Sequence, residues 1–341
     1  MGKAAIYNPY LDTLGGGERY TLAFARVLVN AGWTVDVEWE DNLLKIKLEQ
    51  RLGIDLSNIN FISDIKKGSG YDLCFWVSDG SIPLLHSRKN LLHFQVPFHD
   101  VDGKSLFNRM KLIRINKVIC NSKFTKKVID NEYGIDSKVV YPPVDSSKIK
   151  PKRKENLILY VGRFSSLVQS KKQDILIDAF KKFSKKVLGW KLILVGGSDV
   201  GGKEFAAQLK SKSEGCDIEI LEGIDYKSLI NLYGRARFFW SAAGYGVNEK
   251  KHPEQVEHFG ITTVEAMAAG AVPLVFNAGG SKEIIKEGKD GFLWDSVNEL
   301  IKKTGELIKD SGFCREISRS AVEKSKLFGN EKFNQEILVL L

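Results

Sequence analysis

The sequence predicts an α/β protein made of two doubly wound domains. Short apolar runs alternate with longer segments of helical periodicity, the pattern of parallel strands joined by crossover helices. The runs are apolar throughout, as strands covered on both faces must be. The 341 residues exceed what one ordinary core organises, so two domains of about 150 residues each are expected.

The strands expected in the first half lie at residues 4–8, 34–40, 58–62, 71–77, 90–96 and 117–121. A second series lies at 156–162, 190–197, 217–223, 236–242 and 271–277. Helices fill the intervals. In the segment 172–187, Ile175, Ile177, Ala179, Phe180 and Phe183 recur at helical spacing and are expected to face a sheet, with the lysines in water. Between the two series, VVYPPVDSSKIKPKRKEN (139–156) combines prolines, serines and a basic run and reads as the linker. The expected division is 1–145, 146–325, and a terminal helix over 326–341 whose apolar residues need a surface, the N-terminal domain being a candidate. Doubly wound sheets take ligands outside the carboxyl ends of their strands, so a cleft between two facing domains is the expected site.

Hydrophobic residues make up 43% and charged residues 27% of the chain, which excludes a disordered protein. The net charge of +9 favours anionic partners such as nucleotides, phospholipid surfaces or nucleic acid. Cys74, Cys120, Cys216 and Cys314 form no CxxC pair, and so read as reduced thiols of a cytosolic protein. No apolar run approaches the roughly 18 residues of a membrane span.

Four constellations could carry chemistry. Gly15, Gly16 and Gly17 follow the first strand and precede a helix expected from Glu18. The loop is a phosphate cradle or, equally, a turn that lets strand and helix pack. It is not the dinucleotide fingerprint, because Tyr20 stands where the third glycine belongs. Next, Arg163 follows the strand at 156–162, and Lys171 and Lys172 stand just before a helix. Cations favour the opposite helix end, so lysines here point to a held anion, and a guanidinium fork suits a diphosphate. A solvated basic loop is the alternative.

The third constellation is HPEQVEHFGITTVEAMAAGAVPLV (252–275). Thr262 and Glu265 have the spacing of a capping box, which is a structural role for Glu265. Glu257 lies outside the helix, where a carboxylate can accept hydrogen bonds from the paired hydroxyls of a sugar or ribose. The N–H groups around Phe259, Gly260 and Ile261, with His258 beside them, are then placed for a phosphate. The fourth is His93, at the end of an apolar strand, with His99 further out in the loop; a satisfied core histidine is the competing reading. Asp100 and Asp102 form a lone D-x-D pattern with no second metal-binding cluster to support it. From Gly103 to Ile129 the chain carries Lys104, Arg109, Lys111, Arg114, Lys117, Lys123, Lys126 and Lys127 and no acid. Leu106, Phe107, Met110 and Leu112 lie among them. That composition suits an anionic membrane surface or an ordinary solvated face. No stacking aromatics are interleaved with these charges, so nucleic acid is not an expected partner.

EHFGITTVEAMAAGAVPLVFNAGGSKEII resembles the Glu-x7-Glu segment of the retaining glycosyltransferase family 4, whose GT-B fold pairs two Rossmann-like domains. GGGERYTLAFARVL is similar to that family's glycine loop, YVGRFSSLVQSKKQDILIDAF to its Arg/Lys clamp, and VVYPPVD to its interdomain linker. The form EHFGITTVEAMAAG is similar to α-1,2-mannosyltransferases of lipid-linked oligosaccharide synthesis and to bacterial relatives. The resemblance implies that Glu257 holds the sugar's hydroxyls and Glu265 the ribose. Arg163 and Lys171 would neutralise the diphosphate, Gly15, Gly16 and Gly17 would let a loop close over the donor, and His93 would lie near the acceptor. It also implies a GDP- or UDP-sugar co-substrate, a hexose such as mannose, a glycan or lipid-linked acceptor, and retention of configuration. No metal or other cofactor is expected, because Arg163 and Lys171 can stabilise the leaving group electrostatically. The expected location is cytoplasmic, peripheral on a membrane face. A nucleotide-cofactor oxidoreductase, with Glu38 late in the second strand, and a non-catalytic binder of sugar nucleotides or lipids are the alternatives.

Overall fold

A computed structural model describes residues 2–13, 15–165, 171–197 and 202–341, without the side chain of residue 42. The chain divides into two compact units. One runs to Pro143 and takes in Glu331–Leu341; the other is Val144–Asn330.

The first unit contains β1 (Lys3–Tyr7), α1 (Gly16–Asn30), β2 (Thr34–Glu38), α2 (Asn42–Leu52), β3 (Ile59–Ile62), β4 (Leu73–Val77), β5 (Lys89–Phe94), α3 (Leu106–Leu112), β6 (Lys117–Cys120), α4 (Lys123–Tyr133) and β7 (Lys138–Val139). The second contains β8 (Leu157–Val161), α5 (Gln173–Ser184), β9 (Lys191–Gly196), α6 (Gly202–Ser213), β10 (Ile218–Glu222), α7 (Tyr226–Arg235), β11 (Phe238–Ser241), α8 (Ile261–Ala268), β12 (Val272–Phe276), α9 (Ser281–Ile284), β13 (Phe292–Trp294), α10 (Val297–Lys309) and α11 (Ser311–Ser325). The last helix, α12 (Asn330–Leu338), falls almost wholly in the first unit.

Both sheets are parallel. Their orders are β3-β2-β1-β4-β5-β6-β7 and β10-β9-β8-β11-β12-β13. Each is doubly wound, with the order reversing beside β1 and β8. Every residue of β8 is buried, as a strand with helices on both faces requires. The strands β7 and β13 escaped the sequence reading because two and three residues carry no period. Helix ends follow local chemistry. Asp41, Ser105, Ser122, Asp225, Ser296 and Asp310 each accept a first-turn N–H. Gly53 and Gly134 close α2 and α4 in the left-handed conformation.

The first core stacks Phe24 of α1 on Phe75 of β4 at 4.1 Å. Phe333, Ile337 and Leu340 complete it, Phe333 meeting Tyr20 edge-on at 5.1 Å. In the second unit α5 buries Leu176, Ile177, Ala179, Phe180 and Phe183. Ile175, expected on that face, is only partly buried and Leu176 takes the inner place. The reason is that α5 packs against α6 and α10 as well as β9, which rotates its buried arc. The four cysteines are free thiols. No helix among the described residues is long and apolar enough to cross a membrane.

Candidate active site

The order of the six-stranded sheet reverses between β8 and β11, so the loop leaving β8 is where a ligand is expected. Two glycines let backbone gather there. A Cβ on Gly162 would overlap the Tyr160 hydroxyl, and one on Gly196 would overlap the Gly162 carbonyl. Arg163 follows directly. Its carbonyl accepts from Nε2 of Gln173, a buried residue in the first turn of α5, at 2.8 Å. This bond fixes the arginine's backbone while its side chain stays partly exposed. Residues 166–170 of the expected clamp lie outside the described residues.

Lys171 and Glu257 meet. Lysine Nζ lies 2.9 Å from Glu257 Oε2, and the two side chains are only 14% and 18% exposed. Burial alone would raise the Glu257 pKa. Lys171, by charge and hydrogen bond, then His258 and Arg163 outweigh it and hold the carboxyl below its ordinary range. Tyr160, under the same loop, is pushed up by burial first and by Glu257 second, with Arg163 opposing. The carboxylate and the two cations therefore share one electrostatic neighbourhood.

The Glu257 backbone is clamped from outside its own segment. Its carbonyl accepts from Gly280 N–H at 2.7 Å. A Cβ on Gly279 would overlap that same carbonyl, and Gly279 has φ +57. Glu249 accepts the Gly279 N–H at 2.8 Å and pairs with Lys282, locking the glycine turn. Gln173 and Glu249 were missed by the sequence reading. The only hint of either was the Gly279–Gly280 pair, which marks close backbone contact without naming the partner. His258 is buried, its Nε2 donating to the Glu254 carbonyl at 3.1 Å. Phe259 packs edge-on against Phe328 at 5.4 Å.

The expected capping box does not form. Gly260, at φ +111, is the N-cap of α8, and Thr262 already lies in the first turn. A glycine can take this left-handed position, and it puts the N-cap two residues before Thr262. Glu265 is therefore internal to α8, buried, with Oε2 accepting from the Tyr233 hydroxyl at 2.8 Å. The N-cap glycine has no side chain with which to cap α8, and Gly260 and Ile261 bring the helix N-terminus beside Glu257.

The remaining expected residues lie in the first unit. Gly15 is the N-cap of α1, which starts at Gly16 rather than Glu18, and its N–H is taken by Glu18 Oε2 at 2.5 Å. Glu18 falls at the reciprocal position of a capping box, which ties the first N–H of the glycine loop to its own helix. Gly17 has no room for a Cβ beside Gln95. His93 is wholly buried in β5 and stacks on Tyr20 at 4.2 Å and Phe75 at 5.5 Å. Neither ring nitrogen makes a hydrogen bond. Burial pushes its pKa down to about 3, with the Ile119 backbone pulling weakly upward. The Glu38 carboxylate accepts the Ile65 N–H at 3.0 Å, so it serves a loop. Asp100 and Asp102 are exposed, with left-handed φ of 56 and 52. Among the described residues no group of three or more His, Cys, Asp or Glu is placed to hold a metal.

Comparison with known proteins follows the same residues. Residues 143–324, just over half of the chain, match the family described as Glycosyl transferases group 1. The GDP-Man:Man(3)GlcNAc(2)-PP-Dol alpha-1,2-mannosyltransferase of Dictyostelium discoideum is 26% identical over 241 residues, covering 67% of this chain and 46% of that protein. The human protein of the same name is 30% identical over 242 residues, covering 65% of this chain and 47% of its own. The chain spans about half the length of these curated relatives. The crystal structure of Anabaena Alr3699/HepE, solved with UDP and glucose, superposes with a TM-score of 0.73 over 99% of both chains at 19% identity. That likeness shows the fold, GT-B, with its two Rossmann-like domains. The Arg163, Lys171, Glu257 and Glu265 constellation lies inside the matched region, and the chain belongs to the glycosyl transferases group 1 family.

Proposed function

We propose that this chain transfers a hexosyl group, mannose from GDP-mannose in the first instance, to a glycan or lipid-linked acceptor, with retention of configuration and without a metal. The observation that carries the reading is the Lys171–Glu257 ion pair beside Arg163, at the carboxyl edge of β8. The names of the mannosyltransferase relatives support the choice of donor.

In this reading the donor's diphosphate lies on Arg163, Lys171 and the N-terminus of α8 at Gly260 and Ile261, with His258 and Phe259 shaping the turn. Glu257 accepts from hydroxyls of the sugar. Glu265, whose Oε2 accepts from the Tyr233 hydroxyl, is the carboxylate assigned to the ribose. The bond from the anomeric carbon to the phosphate oxygen breaks as the acceptor hydroxyl oxygen bonds to the same face. The hydroxyl proton passes to the departing diphosphate, whose charge the two cations stabilise. Lys171 is held by Glu257 before the donor arrives, so its position is set in advance.

Thermal shift with GDP-mannose, UDP-glucose and ADP-glucose tests the donor: the cognate one at 100 times its dissociation constant stabilises by about 2.7 kcal/mol. Turnover is measured with the same donors in EDTA, and the product anomer is read by NMR. Glu257→Ala and Arg163→Ala should fold and lose turnover. Activity abolished by EDTA, an inverted anomer, or a glycosyl adduct trapped on a protein side chain would each overturn a stated part.

A further inference from the structure

We propose that α3 is a docking element for an anionic bilayer. This goes beyond the transfer reading and does not depend on it. None of the helix's residues is buried. Leu106, Phe107, Met110 and Ile113 are 77%, 67%, 60% and 84% exposed, four large apolar side chains within eight residues. Ile113, the C-cap, keeps helical geometry. At about 100° per residue, Leu106, Met110 and Ile113 lie within about 60° of one another, with Phe107 alongside. Leu112 falls on the other side, and it and Ile115, beyond the helix, pack against the core formed by Phe94, Val118 and Tyr133. The helix therefore has two apolar faces, and the fold covers only one.

The exposed face is held firmly. Glu132 of α4 accepts the N–H groups of Asp100, Val101 and Gly103 at 3.1–3.2 Å, fixing the loop before α3. The Ser105 hydroxyl caps the helix, and Asn108 Nδ2 donates to the Asp102 carbonyl at 3.1 Å.

The charges around it choose the partner. Lys104, Arg109 and Arg114 are exposed, and Lys111 lies over the Phe107 ring at 4.3 Å. Lys126 does not contribute, since Asp130 and Asp136 neutralise it. Asp100 and Asp102 stand in the preceding loop, but no acid occurs from Gly103 to Ile129. A second copy of this surface would set cations against cations. Nucleic acid would offer phosphates but no stacking partner for Leu, Met and Ile. A bilayer with acidic headgroups offers both an apolar layer and anions at the matching depth.

The test is flotation of the full chain with vesicles of phosphatidylcholine containing about one-third phosphatidylglycerol, against phosphatidylcholine alone. Binding is expected to the anionic vesicles only and to weaken at high salt. Arg109→Gln with Lys111→Gln should weaken it on the order of thirty-fold, and replacing Leu106, Phe107, Met110 and Ile113 together with Ser should abolish it. Both variants should keep the wild-type melting temperature and the wild-type thermal shift with sugar nucleotide, which separates lost docking from lost folding and from failure of the transfer reading. No binding to anionic vesicles, equal binding to neutral ones, undiminished binding by the serine variant, or self-association in solution that this variant removes would each overturn the proposal.

Discussion

Removing Lys171 should destabilise the second unit through Glu257 rather than through lost packing. At 2.9 Å, with an effective dielectric of about 20, the pair's attraction is about 6 kcal/mol. Desolvation of two mostly buried ions offsets much of that, yet removing one partner leaves the other charge buried and uncompensated. The expected cost of Lys171→Met is therefore about 3 kcal/mol at neutral pH. For a unit of this size that lowers the melting temperature by about 10 °C. The sign with pH follows from the depressed Glu257 pKa. In the wild type its stabilisation is present above the unfolded carboxyl range and is lost as pH falls through the folded value. In Lys171→Met, burial is less opposed, the Glu257 pKa moves up, and acid relieves the unpaired charge by protonating it. The gap between the two proteins should be widest near neutrality and close toward the carboxyl range. Thermal unfolding across that span, for both single variants and for Lys171→Met with Glu257→Gln, measures it. The double variant should recover more than half of the loss. A gap that does not change with pH, or a double variant as unstable as the sum of the singles, refutes the reasoning.

Gly279→Ala should both lower the melting temperature and remove turnover, because its Cβ would overlap the Glu257 carbonyl at a φ of +57; a stable, active variant would show that the turn does not set Glu257. Tyr233→Phe removes a buried donor from Glu265, at 2.8 Å, and should cost about 1–3 kcal/mol in thermal unfolding. The Lys154 ammonium donates to the Gly234 and Ala269 carbonyls, and burial pushes its pKa down to about 7, with Cys314 pulling weakly upward. The unfolded lysine binds its proton up to about pH 10, so this group makes stability rise with pH above about 7, and Lys154→Met should flatten that slope. Unaltered slopes would mean that the two carbonyls keep the ammonium charged. His93 should show no imidazole titration by NMR between pH 5 and 8, since burial holds it neutral down to about pH 3.

The two sheets were legible in the chain because a strand buried on both faces leaves a continuous apolar run, and β8, LILYV, is one. The doubly wound order follows from alternation with helices, since parallel strands need crossovers. Arg163, Lys171 and Glu257 could be singled out because charge beside a glycine turn at a strand or helix end has few structural uses. Sequence spacing could not show that Lys171 pairs with Glu257, 86 residues away. That contact depends on where β8 and β11 place their loops in a sheet whose order is not the order of the chain.

Local pattern also misled where long-range packing prevailed. Thr262 and Glu265 had capping spacing, but Gly260 could adopt a left-handed φ and started α8 earlier, turning Glu265 toward Tyr233. In the Gly15–Gly17 loop, spacing did not show that Glu18 would take the Gly15 N–H. The chain by itself determined element type, the parallel winding and the cast of charged residues, because these depend on neighbours a few positions apart. Only the tertiary structure decided which of those charges meet, which are capped by their own helix, and that His93 is sealed beneath Tyr20, because burial and pairing depend on residues brought together from distant parts of the chain.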